Sequence, residues 1–274
     1  MQCQGIRPVS VATGYRGETA EGWRLGRRDL QALVWLERDS VEIRKGTTMK
    51  IDVRHAPAFA VARITMGAGE TVKAETGAMA AMSAGVTIEA KMEGGLFKAL
   101  KRSAVGGESF FVTSYSSASD GSWVDVAANL PGDIAVIQVT SAQGIAVTRG
   151  SWLANESSVA MDTKWGGKKN LFGGEGGFIA HMTGDGQIVV ASYGAIDLHQ
   201  LQAGESVTVD SGHLVAYDDT IDMKDRTAGG FSTAMKSGEG MVVELIGPGR
   251  VWTQSRNPNG LIGWLTTVLP FTRA

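Results

Sequence analysis

Histidines and neighbouring carboxylates are the residues of this chain most able to hold a metal ion. The four histidines are His55, His181, His199 and His213. None shows the H-x-H or H-E-x-x-H spacing that is typical of zinc sites. The nearest approach to a ligand set is His213 with Asp210, Asp218 and Asp219, which would suit a metal-dependent cupin-like enzyme. A simpler role for Asp210, as a turn carboxylate that accepts a backbone N–H, is favoured, so we expect no metal and no cofactor.

Residues for nucleophilic or phosphate chemistry are poorly placed. Cys3, the single cysteine, lies at the chain terminus, and no G-x-S-x-G motif is present. The glycine-rich run 173–177 lacks the Lys-Ser/Thr ending of a P-loop, and its Glu175 would repel phosphate. No pair of carboxylates stands out for general acid–base work. The sequence therefore favours a protein that is not an enzyme.

Three segments combine basic and bulky apolar side chains. Their members are Phe97, Lys98, Lys101, Arg102, Lys168, Lys169, Phe172, Phe231 and Lys236. This composition is typical of loops that touch an anionic membrane surface. The alternative is that the apolar side chains pack between units or subunits while the lysines stay solvated. Both interpretations stay open, and these residues are the candidate contacts with an anionic surface.

Each of these segments lies between a Gly-Gly pair and a Gly-Glu step. The steps are at 107–108, 174–175 and 238–239. Each step precedes an apolar, strand-like run, and successive steps are 67 and 64 residues apart. A recurrence with this spacing indicates an internal repeat, which makes the glycines turn residues rather than parts of a ligand loop.

A second alignment supports the repeat. Residues 69–72 match residues 204–207, and 132–134 are taken as the middle copy. The predicted units are about 51–130, 131–196 and 197–256, followed by an apolar tail over 257–274.

Alternating apolar and polar residues indicate strands throughout the region after residue 48. Val86–Ala90 alternates, and its counterparts are Val159–Asp162 and Ile221–Lys224. The 37 glycines against 6 prolines indicate many tight turns. Units of this size bury too little surface to stand alone, so we expect them to pack side by side. A closed ring would also remove their exposed sheet edges.

Composition limits the classes of partner. Residues 49–274 hold 18 basic and 22 acidic side chains. This region therefore has no net positive charge with which to attract nucleic acid, and DNA is not an expected partner. The seven tryptophans form no basic–aromatic stacking platform, which makes RNA an unfavoured partner. One cysteine and no membrane-length apolar run favour a cytoplasmic protein, with association at a membrane surface left open. The apolar run 261–271 is expected to dock on the core or on a neighbouring subunit.

Residues 1–48 do not share the repeat. Arg44-Lys45-Gly46 can be encoded by a purine run that resembles a bacterial ribosome-binding site shortly before Met49. One hypothesis is therefore that Met49 is the natural start. The alternative is a genuine extension that contains a short helix near Asp29–Ile43.

Seven segments in chain order resemble the bacterial relatives of the mitochondrial biogenesis ("altered inheritance of mitochondria") proteins. The segments are Glu75–Met79, Leu130–Ile134, Asp162–Lys164, Leu171–Gly176, Ser192–Gly194, Gly212–Ala216 and Gly247–Trp252. The resemblance covers about residues 49–270. It implies a fold like that of the tryptophan-RNA-binding attenuator protein, a short double-stranded β-helix that is repeated within the chain and assembled into oligomeric rings. The bacterial members have no established biochemical activity, and the yeast relative is associated with inner-membrane organisation.

We therefore expect an all-β protein of three attenuator-like double-stranded β-helix units packed side by side. The preferred function is that of a non-enzymatic oligomeric scaffold or interaction protein, with a membrane-peripheral role left open. Its expected partner is itself, in a ring-like homo-oligomer for which a trimer is one candidate. A ring that binds small molecules or RNA is the first alternative, and the cupin-like enzyme is the second.

Overall fold

Strands dominate the structure, a computed structural model that describes residues 49–90, 112–148, 150–162, 179–225 and 242–270. These residues form nineteen strands, one 3-10 turn over Ser211–His213 and one α-helix, α1, over Pro258–Val268. The strands are β1 Lys50–Arg54, β2 Val61–Met66, β3 Thr71–Glu75, β4 Met79–Met82, β5 Val86–Ala90, β6 Val112–Ser117, β7 Ser122–Val126, β8 Ile134–Val139, β9 Ile145–Thr148, β10 Trp152–Glu156, β11 Val159–Asp162, β12 Ile179–Gly184, β13 Gly186–Ala191, β14 Ile196–Leu201, β15 Ser206–Asp210, β16 Leu214–Asp218, β17 Asp222–Asp225, β18 Val242–Ile246 and β19 Gly249–Gln254.

The strands form four antiparallel sheets, so the all-β prediction is confirmed. Sheet A has the order β1-β2-β7-β4, and sheet B has the order β5-β6-β3-β10-β13-β8. Sheet C has the order β11-β12-β9-β16-β19-β14, and sheet D has the order β15-β18-β17. The alternation seen in the sequence appears as alternating burial, for example along β2, where every second side chain is buried.

One pairing scheme occurs in three consecutive sets of six strands: set 1 (β2–β7), set 2 (β8–β13) and set 3 (β14–β19). In each set the first strand pairs with the sixth, and the second pairs with the fifth. The third strand also pairs with the sixth, and the fourth with the fifth. Each set therefore contributes three strands to each of two sheets.

Neighbouring sets are joined in one way. The third strand of set 2, β10, pairs with the second strand of set 1, β3, with Ala154 opposite Ala74. In the same way β16 of set 3 pairs with β9 of set 2, with Ala216 opposite Val147. Sheets B and C are therefore each half one set and half the next.

Three buried clusters lie between successive sheets. The first includes Ile64 of sheet A and Val189 of sheet B. The second includes Ile188 of sheet B and Met182 of sheet C, and the third joins sheets C and D. Sheet B therefore lies between two of these clusters, and its strand β13 is buried at every residue.

The assignment of 132–134 as the middle copy of 69–72 and 204–207 is wrong. Residues 69–70 and 204–205 precede β3 and β15, the second strands of sets 1 and 3. Gly132 precedes β8, a first strand, whereas the second strand of set 2 is β9. Gly132 is a glycine for a different reason, because a Cβ there would overlap the backbone carbonyl of Ser192.

Candidate functional site

The predicted contact residues fall between paired strands of the three sets. Residues Phe97, Lys98, Lys101, Arg102, Lys168, Lys169, Phe172, Phe231 and Lys236 lie outside the described residues. The structure does describe the strands before and after them: β5 and β6, β11 and β12, β17 and β18, each an antiparallel pair. Chain continuity therefore makes 91–111, 163–178 and 226–241 the connections between the fourth and fifth strands of each set.

These three connections are basic in a chain whose net charge is −2. The first carries four basic and two acidic residues, the second three and one, and the third two and one. Positive charge is thus concentrated at one topological position that occurs once per set.

Helix α1 forms where an apolar tail was expected. Asn257 caps its first turn, because the Asn257 side-chain oxygen accepts the Asn259 N–H at 2.9 Å. Pro258 at the first helical position suits the preset backbone angle of proline, and the helix ends before Pro270. The spacing of Leu261, Leu265 and Val268 places an apolar stripe along one face.

The apolar stripe of α1 is only partly covered, with Leu261 and Leu265 half-buried. The helix contains no buried residue. Ile262, Trp264 and Val268 are 50%, 59% and 54% exposed, and Leu269, which follows the helix, is 41% exposed. On its own chain the stripe is at most half-buried, at Leu261 and Leu265, and docking of this tail on the core or on a neighbouring subunit stays a prediction. No helix in the described part of the chain has the length and hydropathy needed to cross a bilayer.

The cluster considered for a metal begins with Asp210 and His213. The Asp210 Oδ1 accepts the Gly212 N–H at 2.9 Å, which is the turn-capping role predicted for it. The His213 Nδ1 lies 2.7 Å from the backbone oxygen of Gln254, so the imidazole donates to a carbonyl. Both side chains thus serve the turn into β16 and the neighbouring β19.

The other two carboxylates of that cluster have separate partners. Asp218 receives bonds of 2.9 Å from the Arg250 Nε and Nη2. Asp219 lies 2.7 Å from the Nε2 of His181. Within the described ranges no group of three or more His, Cys, Asp or Glu side chains is arranged to hold a metal ion.

A charged cluster on sheet A was missed by sequence reasoning. The Arg63 Nε and Nη2 donate to Asp125 at 2.8 and 2.9 Å, and the Arg54 Nη2 donates to Asp125 at 2.8 Å. Hydrogen bonding from Arg63 holds the pKa of the Asp125 carboxyl below its usual value. The Arg63 guanidinium also lies 3.8 Å above the ring of Trp123. The pairing of β2 with β7 and of β1 with β2 brings these residues together, so no local motif marks them.

Comparison with known proteins places this architecture in a family. Residues 51–256 match the family model of the mitochondrial biogenesis AIM24 proteins. An uncharacterised protein of Streptococcus pyogenes serotype M6 is 32% identical over 231 residues, which cover 81% of this chain and 92% of that protein.

A solved structure agrees with the fold. The crystal structure of a Streptococcus pyogenes protein superimposes with a TM-score of 0.67 and 28% identity, over 81% of this chain and 100% of that chain. Neither the family nor these relatives indicate an enzymatic activity. Since the family model spans most of the sequence, the chain belongs to the AIM24 family of mitochondrial biogenesis proteins.

Proposed function

We propose that the protein is a non-enzymatic scaffold that binds an anionic membrane surface through its apolar C-terminal helix and its three basic connections. The observation that carries the proposal is helix α1, which has an apolar face and no buried residue. Burying exposed apolar side chains in an acyl boundary is favourable by about 25 cal/mol per Å².

The composition of α1 suits the interface rather than the interior of a bilayer. Leu261, Trp264, Leu265 and Val268 lie on one face, while Gly263 and the polar Thr267 lie on the other. Tryptophan is enriched at the level of lipid headgroups. A helix of 11 residues with this pattern lies in the interfacial plane rather than across the bilayer.

The three connections supply the electrostatic part of the proposed contact. Each lysine or arginine close to an anionic membrane surface contributes about 1 kcal/mol to the free energy of binding. The shared pairing scheme of the three sets supports the view that they are three copies of one short double-stranded β-helix unit. Three equivalent units would display their connections at corresponding ends, and weak contacts displayed together gain avidity.

Self-association belongs to the proposal. A homo-oligomer, ring-like in the simplest case, multiplies the connections and helices that meet one surface. It would also cover sheet edges that a single chain leaves open.

Vesicle sedimentation tests the membrane contact. We expect binding to phosphatidylcholine vesicles that contain phosphatidylglycerol, and little binding to phosphatidylcholine alone. Trp264→Ser should weaken binding about tenfold, whereas Phe59→Ser, which changes an aromatic side chain that is 70% exposed elsewhere, should not.

Charge reversal tests the connections separately. Lys98→Glu, Lys101→Glu, Lys168→Glu and Lys169→Glu together should abolish the preference for anionic vesicles, while Lys50→Glu, at an exposed position of β1, should leave it. Absence of wild-type binding to either vesicle would overturn the proposal. Equal binding to both vesicles would refute its electrostatic part.

A further inference from the structure

The third strands of the three sets differ sharply in burial. Strands β10 and β16 are buried at every residue. In β4, the third strand of set 1, Ala80 and Ala81 are exposed and the flanking methionines are half-buried. The cause is the neighbouring strand, because β10 lies between β13 and β3, and β16 lies between β19 and β9. Among the described strands, β4 pairs with β7 only, so it forms an edge of sheet A.

A matching edge lies at the other end of the row of sets. Strand β15 is the second strand of set 3, and of the described strands it pairs with β18 only. Its counterparts β3 and β9 each carry, on the opposite side, a third strand from the following set. Ser206 and Thr208 of β15 are exposed. Among the described strands, one third strand and one second strand therefore have no third-to-second strand pairing, and these are the two strand types that the internal joints bring together.

We propose that β4 of one copy of this chain pairs with β15 of a second copy, in the way that β10 pairs with β3 and β16 with β9. The inference rests on the self-association included in the proposed function and identifies the surfaces that perform it. Pairing would complete a sheet of order β17-β18-β15-β4-β7-β2-β1, whose first six strands match the orders of sheets B and C.

The register of this contact follows from the internal joints. A β-bulge precedes Ala81, Ala154 and Ala216 opposite the sixth strand of each set, so these three alanines occupy one position. The two internal joints place Val72 and Ile145 at one position, opposite Glu156 and Asp218. Val207 is the equivalent of Val72, because residues 69–72 match residues 204–207.

Transferring the internal register to the two free edges then gives specific residue pairs. Ala154 pairs with Ala74, and Ala216 with Val147. The corresponding contact places Ala81 opposite Val209, and Ser83 opposite Val207. A shift of the pairing by one residue would turn every side chain of the strand to the wrong face of the sheet.

The composition of β4 favours a strand as the occupant. The exposed residues of β4 are alanines, with no charge or proline to prevent edge-to-edge pairing. The face beside Ala81 carries Arg63 stacked on Trp123, and arginine and tryptophan are enriched in protein interfaces. Since one edge of each type joins, the contact is head-to-tail, which closes into rings where the rotation permits and otherwise extends into filaments.

Cross-linking of the full chain tests the pairing directly. The Ser157 N–H donates to the Thr71 carbonyl, so Ala154 and Ala74, three positions along, form a non-hydrogen-bonded pair with closely spaced Cα atoms. The equivalent pair, Ala81 and Val209, is therefore suited to a disulfide.

In a Cys3→Ser background, a chain with Ala81→Cys is mixed with a chain carrying Val209→Cys under mild oxidation. We expect a disulfide-linked heterodimer as the main product. Ala81→Cys mixed with Thr208→Cys is the control, because the Thr208 side chain points to the opposite face, and it should link at least tenfold less. Linking of Ala81→Cys to itself, or equal linking in the control, would overturn the proposal.

A second variant avoids any change to the core. Ala81→Arg substitutes an exposed residue, so the chain should fold as before, and native mass spectrometry should show a shift from oligomer to single chain. Ala58→Arg, at an exposed position outside the strands, should leave the oligomer intact. An oligomer that survives Ala81→Arg overturns the β4–β15 contact while leaving the scaffold proposal standing. A wild-type chain that is monomeric overturns self-association, and vesicle binding then decides the membrane contact independently.

Discussion

Sets 1 and 2 have the same strand pairing but different surroundings. At one position set 2 pairs Val136 with Val189, both on strands of sheet B, and Val189 is fully buried. At the corresponding position set 1 pairs Arg63 with Asp125. The middle set is covered on both sides and uses apolar residues, whereas the end set faces outward and uses an ion pair beside an aromatic ring. Burial here is decided by the neighbouring set more than by the strand itself.

The largest effect on stability is expected at Leu153, which holds the same bulge position in set 2 as Ala80 holds in set 1. Leu153 is fully buried in the first core cluster, so Leu153→Ala should lower the free energy of unfolding by about 3 kcal/mol. Ala80→Ser should change it by less than about 0.5 kcal/mol, because Ala80 is exposed. Urea unfolding of both variants measures the contrast, and equal losses would show that set 1 is as well covered as set 2.

A smaller effect is expected at the ion pair of set 1. Asp125→Asn should cost about 1–2 kcal/mol at neutral pH, because the Arg63 and Arg54 donors lose a charged acceptor. The lowered pKa of Asp125 stabilises the fold above the unfolded value of about 3.9, and this contribution is lost as pH falls through the lower folded pKa.

The difference between wild type and Asp125→Asn should therefore shrink below about pH 4. Urea unfolding at pH 7 and pH 3 measures it, with the exposed Asp197→Asn as the matched control. A difference that stays constant with pH would mean that the charge of Asp125 is not the cause.

The smallest effect is expected at two buried tyrosines. The Tyr217 hydroxyl is buried, and among the described residues it has no hydrogen-bond partner. Burial raises the pKa of Tyr217 well above its ordinary value. Tyr217→Phe should therefore be neutral or stabilising by up to about 1 kcal/mol.

Tyr115 provides the matched comparison. It is also buried, but its hydroxyl makes a hydrogen bond with Thr113. Tyr115→Phe should cost about 1 kcal/mol. Thermal unfolding of the two variants should move in different directions, and a loss at Tyr217 equal to that at Tyr115 would reveal a partner for the Tyr217 hydroxyl.

Much of the local structure could be predicted from alternation and turn residues. Val86–Ala90 became β5, and the apolar runs after the Gly-Glu steps became the starts of β6, β12 and β18. Period-two patterning identifies a strand and its buried face but not its partner. The pairing of β10 with β3 could therefore not be predicted from the sequence, and a short Gly-Asp match misplaced Gly132 by one strand.

The candidate site shows the same limit. The Asn257-Pro258 start and the spacing of Leu261, Leu265 and Val268 are helix signals that could have predicted α1. Its exposure could not be predicted, because an apolar stripe is the same whether it meets a core or a membrane. The basic residues of the three connections remain a prediction outside the described ranges.

The recurring joint also has an arithmetic consequence. If the contact between chains repeats the contact within a chain, each added copy lengthens the row by three sets and restores the same pair of free edges. A closed assembly then holds a number of sets divisible by three, whatever the number of copies. Fusing two genes in tandem would give a chain of six sets without creating a new kind of junction, so the subunit count would halve while the ring kept its circumference.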